Sequence, residues 1–169
     1  SQVSMYKAER KAADIWEHMA KPIDSLGQLE KIVCKMAGVY RNHELPTEIK
    51  KGLVIFCADH GVVKQGVTQT DSSVTRSVAE NFVKGKSTVN FMAKKASVDV
   101  FTVDIGMVHG GKRDNTIAIC KDIKTNCLID MNIASGSADI YDNPAMSMED
   151  CRQAVKVGID IVGELKSQG

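Results

Sequence analysis

Leu53-Val54-Ile55-Phe56-Cys57-Ala58, broken off abruptly by Asp59-His60-Gly61, decides the fold of this chain. An uninterrupted apolar run of this length reads as a strand. With no polar residue on alternate positions, both faces of that strand must be covered, which is the pattern of a parallel sheet packed between helices. Val98 to Ile105 repeats the pattern and ends in Asp104-Ile105-Gly106.

Helical patterns flank these runs. Met5, Ala8, Ala12, Ile15 and Met19 recur at alternating steps of three and four and form one helix face, which Pro22 is expected to end. Ser25-Leu26-Gly27-Gln28 reads as a capping box for a second helix carrying Leu29, Val33, Met36 and Tyr40. Asn42 to Gly52, with Pro46, reads as a connecting loop. Val74, Val78 and Phe82 predict a helix begun near Asp71-Ser72-Ser73, and another piece runs from Thr88 to Lys95. Asn81 to Asn90 joins them as a small-residue turn, read as a plain connection rather than an anion seat. Met107 to Asn115 is glycine-rich loop, and Thr116 to Met131 predicts only short extended pieces. Ser147-Met148-Glu149-Asp150 is a second capping box, and Cys151, Ala154, Gly158, Ile161 and Leu165 define a final helix with Gly169 as its glycine cap.

The expected architecture is therefore three-layer α/β, a parallel sheet flanked by helices, with an N-terminal helical pair. Residues 1–45 form the helical segment and residues 46–169 the first part of the α/β domain. In a parallel sheet a helix returns the chain to begin the next strand. Here the last helix has no strand after it, so the pattern predicts a sheet cut at a helix-to-strand handoff. A complete small domain with its last helix at an edge is the alternative.

Composition narrows the function classes. The chain has 22 Lys and Arg against 21 Asp and Glu, a balance that gives no drive toward nucleic acid or an anionic membrane. No apolar run approaches bilayer length, and the first residues alternate polar and apolar rather than forming a signal peptide. Cys34, Cys57, Cys120, Cys127 and Cys151 contain no C-x-x-C and are expected to be reduced, buried thiols of a cytoplasmic protein, with Cys120 and Cys127 the pair hardest to set aside.

Ligands of open α/β sheets collect at the carboxyl ends of the strands. Asp59-His60-Gly61 falls there. A carboxylate beside an imidazole orients a ring nitrogen, and glycine lets the backbone approach a ligand. The plainer reading is a strand-end aspartate bonding loop amides beside an exposed histidine. Asp104, with His109, Gly110 and Gly111, forms a second cluster, read as loop. No G-x-S-x-G elbow, phosphate-binding loop, G-x-G-x-x-G or H-E-x-x-H is present. The spacing of Asp59, His60, Asp104 and His109 does not call for a metal, and none is expected.

Taken together, the motifs resemble one family. Lys21-Pro22-Ile23-Asp24-Ser25-Leu26-Gly27-Gln28-Leu29-Glu30 is similar to the K-P-P-G-S-L-G-R-L-E opening of nicotinate-nucleotide:dimethylbenzimidazole phosphoribosyltransferases of cobamide biosynthesis. Ala58-Asp59-His60-Gly61-Val62 resembles their A-D-H-G-V. Gly66-Val67-Thr68 with Val74-Thr75, Asn81-Phe82 with Gly85, Val103-Asp104-Ile105-Gly106, and Gly136-Ser137 with Pro144-Ala145-Met146-Ser147 resemble further elements, in the family's order. The resemblance covers Lys21 to Gly169 and about the first half of a family member.

The resemblance implies transfer of phosphoribose from nicotinate mononucleotide to an aromatic base, with no cofactor. A glutamate base and the phosphate cradle belong to the second half, beyond residue 169, so no catalytic residue is expected in this chain, which alone should be inactive. This half is expected to contribute substrate-binding residues: Asp59, His60, Gly61, Thr70, Val78, Asn81 and Asp104. Thr70 falls where members carry a serine near the base, and Val78 where some carry a glutamine, which implies a base less polar at that edge. Ile23-Asp24 for Pro-Gly, Gln28 for Arg and Asp139 for Asn are further departures. The resemblance also implies a homodimer acting on small molecules. Two alternatives remain: a non-catalytic base-binding paralogue or subunit that needs an active partner, and, more weakly, a nucleotide-binding regulatory module.

Overall fold

A computed structural model describes residues 2–108 and 118–168. The chain forms two compact units, Ser1–Ile49 and Lys50–Gly169.

The first unit is a helical hairpin of α1 (Gln2–His18) and α2 (Gln28–Tyr40). Its interface uses small residues: Ala8, Ala12, Ala37 and Gly38 are buried. A Cβ on Gly38 would lie only 2.4 Å from the Glu9 carboxylate, so the lack of a side chain there lets the helices approach closely. Two local expectations are corrected. α1 stops at His18, short of Pro22, and the expected capping box does not form. Asp24 and Gly27 take positive φ, 53° and 54°, which winds Ser25 into a run of turns and starts α2 at Gln28 without a side-chain cap. Glu30 does the capping work instead: its Oε1 accepts from the Leu26 amide at 3.1 Å and from Lys21 Nζ at 2.7 Å. The Lys21 contact, with the Leu26 amide, holds the Glu30 carboxyl below the usual carboxylate range.

The second unit is α/β. Strands β1 (Lys51–Ala58), β2 (Val98–Gly106), β3 (Ala118–Cys120) and β4 (Cys127–Asp130) form one parallel sheet in the order β1-β2-β4-β3. Helices α3 (Ser73–Val83) and α4 (Thr88–Lys95) carry the chain from β1 to β2, and α5 (Met148–Ser167) follows the sheet. Strand side chains alternate between faces. Phe101, Val103 and Ile129 pack with Ile161 of α5, and Cys57 and Leu128 pack with Ala79 and Val83 of α3. The sheet is thus the middle of three layers. β2, an inner strand, is buried from Phe101 to Asp104, as its apolar run requires. β1 is an edge strand, and Phe56 is 46% exposed, so cover on both faces is only partial there.

The second capping box forms as expected. Ser147 Oγ accepts from the Asp150 amide at 3.0 Å, and Asp150 Oδ2 accepts from the Ser147 amide at 3.3 Å. A matching box at Ser87 and Asn90 starts α4. Ser147→Ala is expected to cost about 1 kcal/mol, read as a lower urea midpoint at unchanged slope. A midpoint equal to wild type would show that α5 is held by packing alone. The cap of α5 is Gln168, and Gly169 lies outside the described residues, as do His109, Gly110 and Gly111.

The cysteines depart from expectation. Cys120 and Cys127 form a disulfide with a Cα–Cα distance of 6.2 Å, while Cys34, Cys57 and Cys151 are free. The register explains it. Ala118 pairs with Cys127 in parallel neighbours, so Cys120, two residues on, shares a face with Cys127 on the adjacent strand and lies within bridging range. Cys151 is exposed rather than buried.

Candidate functional site

The carboxyl ends of β1 and β2 are tied together by the segment after β4. Met131 donates its amide to the Asp104 carbonyl (3.0 Å), Ile133 to Ile105 (3.1 Å), and Gly136 to Gly106 (3.1 Å). Ser137 then donates to the Asp59 carbonyl at 2.9 Å, and Gly61 donates back to Ser137 at 3.1 Å, making a parallel bridge between His60 and Ser137. This strap runs across both strand ends and sets the walls of the site.

Asp59 is 5% exposed, and its Oδ2 accepts from the Val108 amide at 2.8 Å. The strand-end aspartate therefore binds a loop amide, the plainer of the two readings. His60, next to it, is exposed, with Nδ1 3.4 Å from Ser137 Oγ. Gly61 begins a single 3-10 turn over Gly61–Gln65. That turn is clasped by Asp139, whose Oδ2 accepts from Gln65 Nε2 at 2.7 Å, and this bond lowers the Asp139 carboxyl. Asp139 is thus a fastening for the loop after β1.

Asp104 is 2% exposed and faces inward. Its Oδ1 accepts from the amides of Gly106 (3.1 Å) and Met107 (2.8 Å) and from Asn132 Nδ2 (2.9 Å). It fastens the end of β2 to the strap. Burial pushes the nearby Cys57 thiol up to about 11, with the Asp104 and Asp59 charges adding to the shift, so Cys57 is no thiolate nucleophile at neutral pH.

Three cavities meet at Asp59 and His60. One, about 460 Å³, is walled by small apolar groups such as Ala58, Ala134, Ala138 and Ala145, with Ser147 and Asp150 at its edge. A second, about 400 Å³, contains Thr70 and Val78 with Thr68, Val74 and Phe82. The third and largest, about 740 Å³, holds Lys64, Asp71, Ser73, Arg76 and Glu80. Asp71 accepts from both the amide and the hydroxyl of Ser73, and these bonds lower its carboxyl.

The structure thus brings Asp59, His60, Gly61, Thr70 and Val78 around one centre. Asp104 lies beneath it, and Asn81 is an exposed residue of α3 that lines none of these three cavities. Sequence reading missed Arg76, Ser137 and Asn132. Arg76 carried a signal in its spacing of four from Glu80 on a helix, and Ser137 in the Gly136-Ser137 element quoted above, whereas Asn132 carried none. Among the described residues no cluster of His, Cys, Asp and Glu is arranged to hold a metal ion.

Known proteins resemble this chain in sequence and in fold. The nicotinate-nucleotide–dimethylbenzimidazole phosphoribosyltransferase of Ruminiclostridium cellulolyticum is 36% identical over 166 residues, 98% of this chain and 42% of that protein. The protein of the same name from Acetivibrio thermocellus is 34% identical over 153 residues, 90% of this chain and 40% of that one. The crystal structure of CobT from Thermus thermophilus matches with a TM-score of 0.80 and 26% identity, over 96% of this chain and 45% of that chain. The chain spans about two fifths of the length of the curated relatives, in their N-terminal half. A family model described as DBI_PRT, phosphoribosyltransferase, matches residues 3–169, and with these likenesses it establishes that the chain belongs to that phosphoribosyltransferase family.

Proposed function

We propose that this chain forms the base-binding portion of an enzyme that moves phosphoribose from nicotinate mononucleotide to a benzimidazole-type base, making the lower-ligand nucleotide of a cobamide and releasing nicotinate. The observation that carries the reading is the convergence of cavities on Asp59, His60 and Gly61 at the carboxyl ends of parallel strands, in a chain of this family.

A planar base needs an apolar slot and a few fixed polar groups. Thr70 offers a hydroxyl, Val78 an apolar wall, and His60 a ring nitrogen that Ser137 orients. Gly61 keeps the loop backbone against the strap. Asp104 acts as a positioning residue through the turn after β2. The glutamate that takes the ring proton and the groups that hold the phosphate come from the other part of the enzyme. The family reading makes the assembly a homodimer acting on small molecules. Among the described residues, no helix is long and apolar enough to cross a membrane.

The test has two arms. The 169-residue chain is titrated with dimethylbenzimidazole while ligand NMR signals are followed, and is then assayed for nicotinate release from nicotinate mononucleotide. Binding without release is expected. Failure to bind any aromatic base would sink the base-binding reading. Base-dependent nicotinate release by the chain alone would overturn the assignment of the proton-accepting group to another part of the enzyme.

A further inference from the structure

Lys7 and Lys11 stand one turn apart on α1, and the hairpin places Arg41 and His43, just past the end of α2, beside them. With Ser4 and Asn42 they line a cleft of about 430 Å³ that lies wholly within the first unit and shares no residue with the cavities at the strand ends. Like charges four residues apart on a helix repel, so Lys7 and Lys11 cost α1 stability by themselves. Folding then adds Arg41 to the pair. Among the described residues, none of these three cations has an ion-pair partner and no carboxylate lines the cleft. Glu44 lies 4.0 Å from His43 Nε2, but it is 84% exposed and is not part of the lining. Cations therefore gather around a concave space whose low-dielectric walls concentrate their field. An anion in that space relieves the repulsion.

The backbone at Arg41 adds a second observation. Arg41 ends α2 with φ 55° and ψ 26°, a left-handed cap for which glycine is the preferred residue. Its amide donates to the Gly38 carbonyl at 3.0 Å and that of Asn42 to Ala37 at 3.1 Å, so the cap holds both residues at the cleft. An arginine there costs conformational energy that glycine would not. It supplies in return an exposed guanidinium, whose planar fork matches a pair of phosphate oxygens. Asn42 Oδ1 accepts from the Glu44 amide at 3.2 Å, which leaves the side-chain NH2 as a further donor.

We propose that this cleft binds the phosphate group of a small molecule, with Arg41 as the bidentate donor and Lys7 and Lys11 as the balancing charges. A phosphate or pyrophosphate group carries two or more negative charges, which suits three unpaired cations. A concave site of this size fits a small molecule rather than the length of a nucleic acid, toward which the even charge of the whole chain gives no drive. The site is separate from the base-binding cavities and does not depend on them.

Inorganic pyrophosphate is the probe. Titrated into the 169-residue chain by calorimetry and amide NMR, it is expected to bind, to shift the signals of Lys7, Lys11, Arg41 and Asn42, and to bind more weakly as salt rises. Arg41→Gly separates ligand binding from folding. It removes the guanidinium and puts the preferred residue at the cap, so binding should weaken about tenfold or more while the thermal melt is no lower than wild type. A lower melt with binding unchanged would mark Arg41 as structural and overturn the proposal. Lys11→Gln should weaken binding about two- to fivefold. Lys35→Gln, the same charge change at an exposed position of α2 outside the cleft, should bind as wild type. Equal weakening in these two variants would reveal a general charge effect and sink the site. So would the absence of binding at roughly millimolar pyrophosphate. An RNA oligonucleotide that bound more tightly than pyrophosphate and shifted the same signals would make the surface a nucleic-acid contact instead. Base binding is expected to be unchanged in all three variants, so this proposal and the base-binding reading stand or fall separately.

Discussion

Asp104→Ala is expected to destabilise the second unit by about 3–5 kcal/mol, more than any other substitution considered. The carboxylate is 2% exposed, and one oxygen accepts from Gly106, Met107 and Asn132. Removing it leaves these donors facing a space the size of a carboxyl group. Each unmet buried donor costs about 1–3 kcal/mol. A water entering the space recovers part of that, which is why the expected total lies below the simple sum. The loss should also reach the site, since Asn132 belongs to the strap that lines two of the cavities. Asp104→Asn keeps an acceptor oxygen and removes the charge, and about 1 kcal/mol is expected for it. Urea unfolding of the three proteins decides the matter. An alanine variant within about 1 kcal/mol of wild type would show that the turn after β2 holds itself.

Gly61→Ala is the second. A Cβ on Gly61 would lie 2.6 Å from Ala138 C and Asp139 N and 2.7 Å from the Ser137 carbonyl oxygen. These are backbone atoms of the strap, so no side chain can swing aside. Either the Gly61–Ser137 hydrogen bond lengthens or the strap lifts from the end of β1. Overpacking of this kind costs about 3 kcal/mol. Base binding should weaken as well, because His60 borders all three cavities and the strap borders two of them. Gly158→Ala is the control. Nothing lies within 4 Å of its added Cβ, and it sits inside α5, where alanine should stabilise by up to about 1 kcal/mol. If Gly61→Ala proved as harmless in thermal melts, the strap would be pliant and its place in the site would need revision.

The contrast between these two glycines shows how far local pattern carries. Both are glycines in the printed chain, and only the neighbours supplied by the fold make one intolerant and the other replaceable. The same holds for the two acids. Asp59 and Asp104 both close apolar strands and read alike, yet Asp59 lies at the junction of the cavities while Asp104 is turned inward as a fastening.

Much was legible without the fold. The apolar runs at Leu53–Ala58 and Val98–Ile105 determine parallel strands, because a strand without polar alternation is stable only between covering layers. The repeats of three and four determine α3 and α5, and the Ser147 box determines where α5 begins, since a cap works through residues three apart. The capping box expected at Ser25 failed because Asp24 and Gly27 take left-handed backbone, which neighbouring residues permit but do not dictate. What only the tertiary structure decided is long-range: the strand order, the exposure of Phe56 at an edge, the pairing of Cys120 with Cys127 by register, and the strap over the strand ends. Each depends on residues distant in the chain meeting in space. Periodicity reports which face of an element is apolar, and it carries no information about what that face will meet.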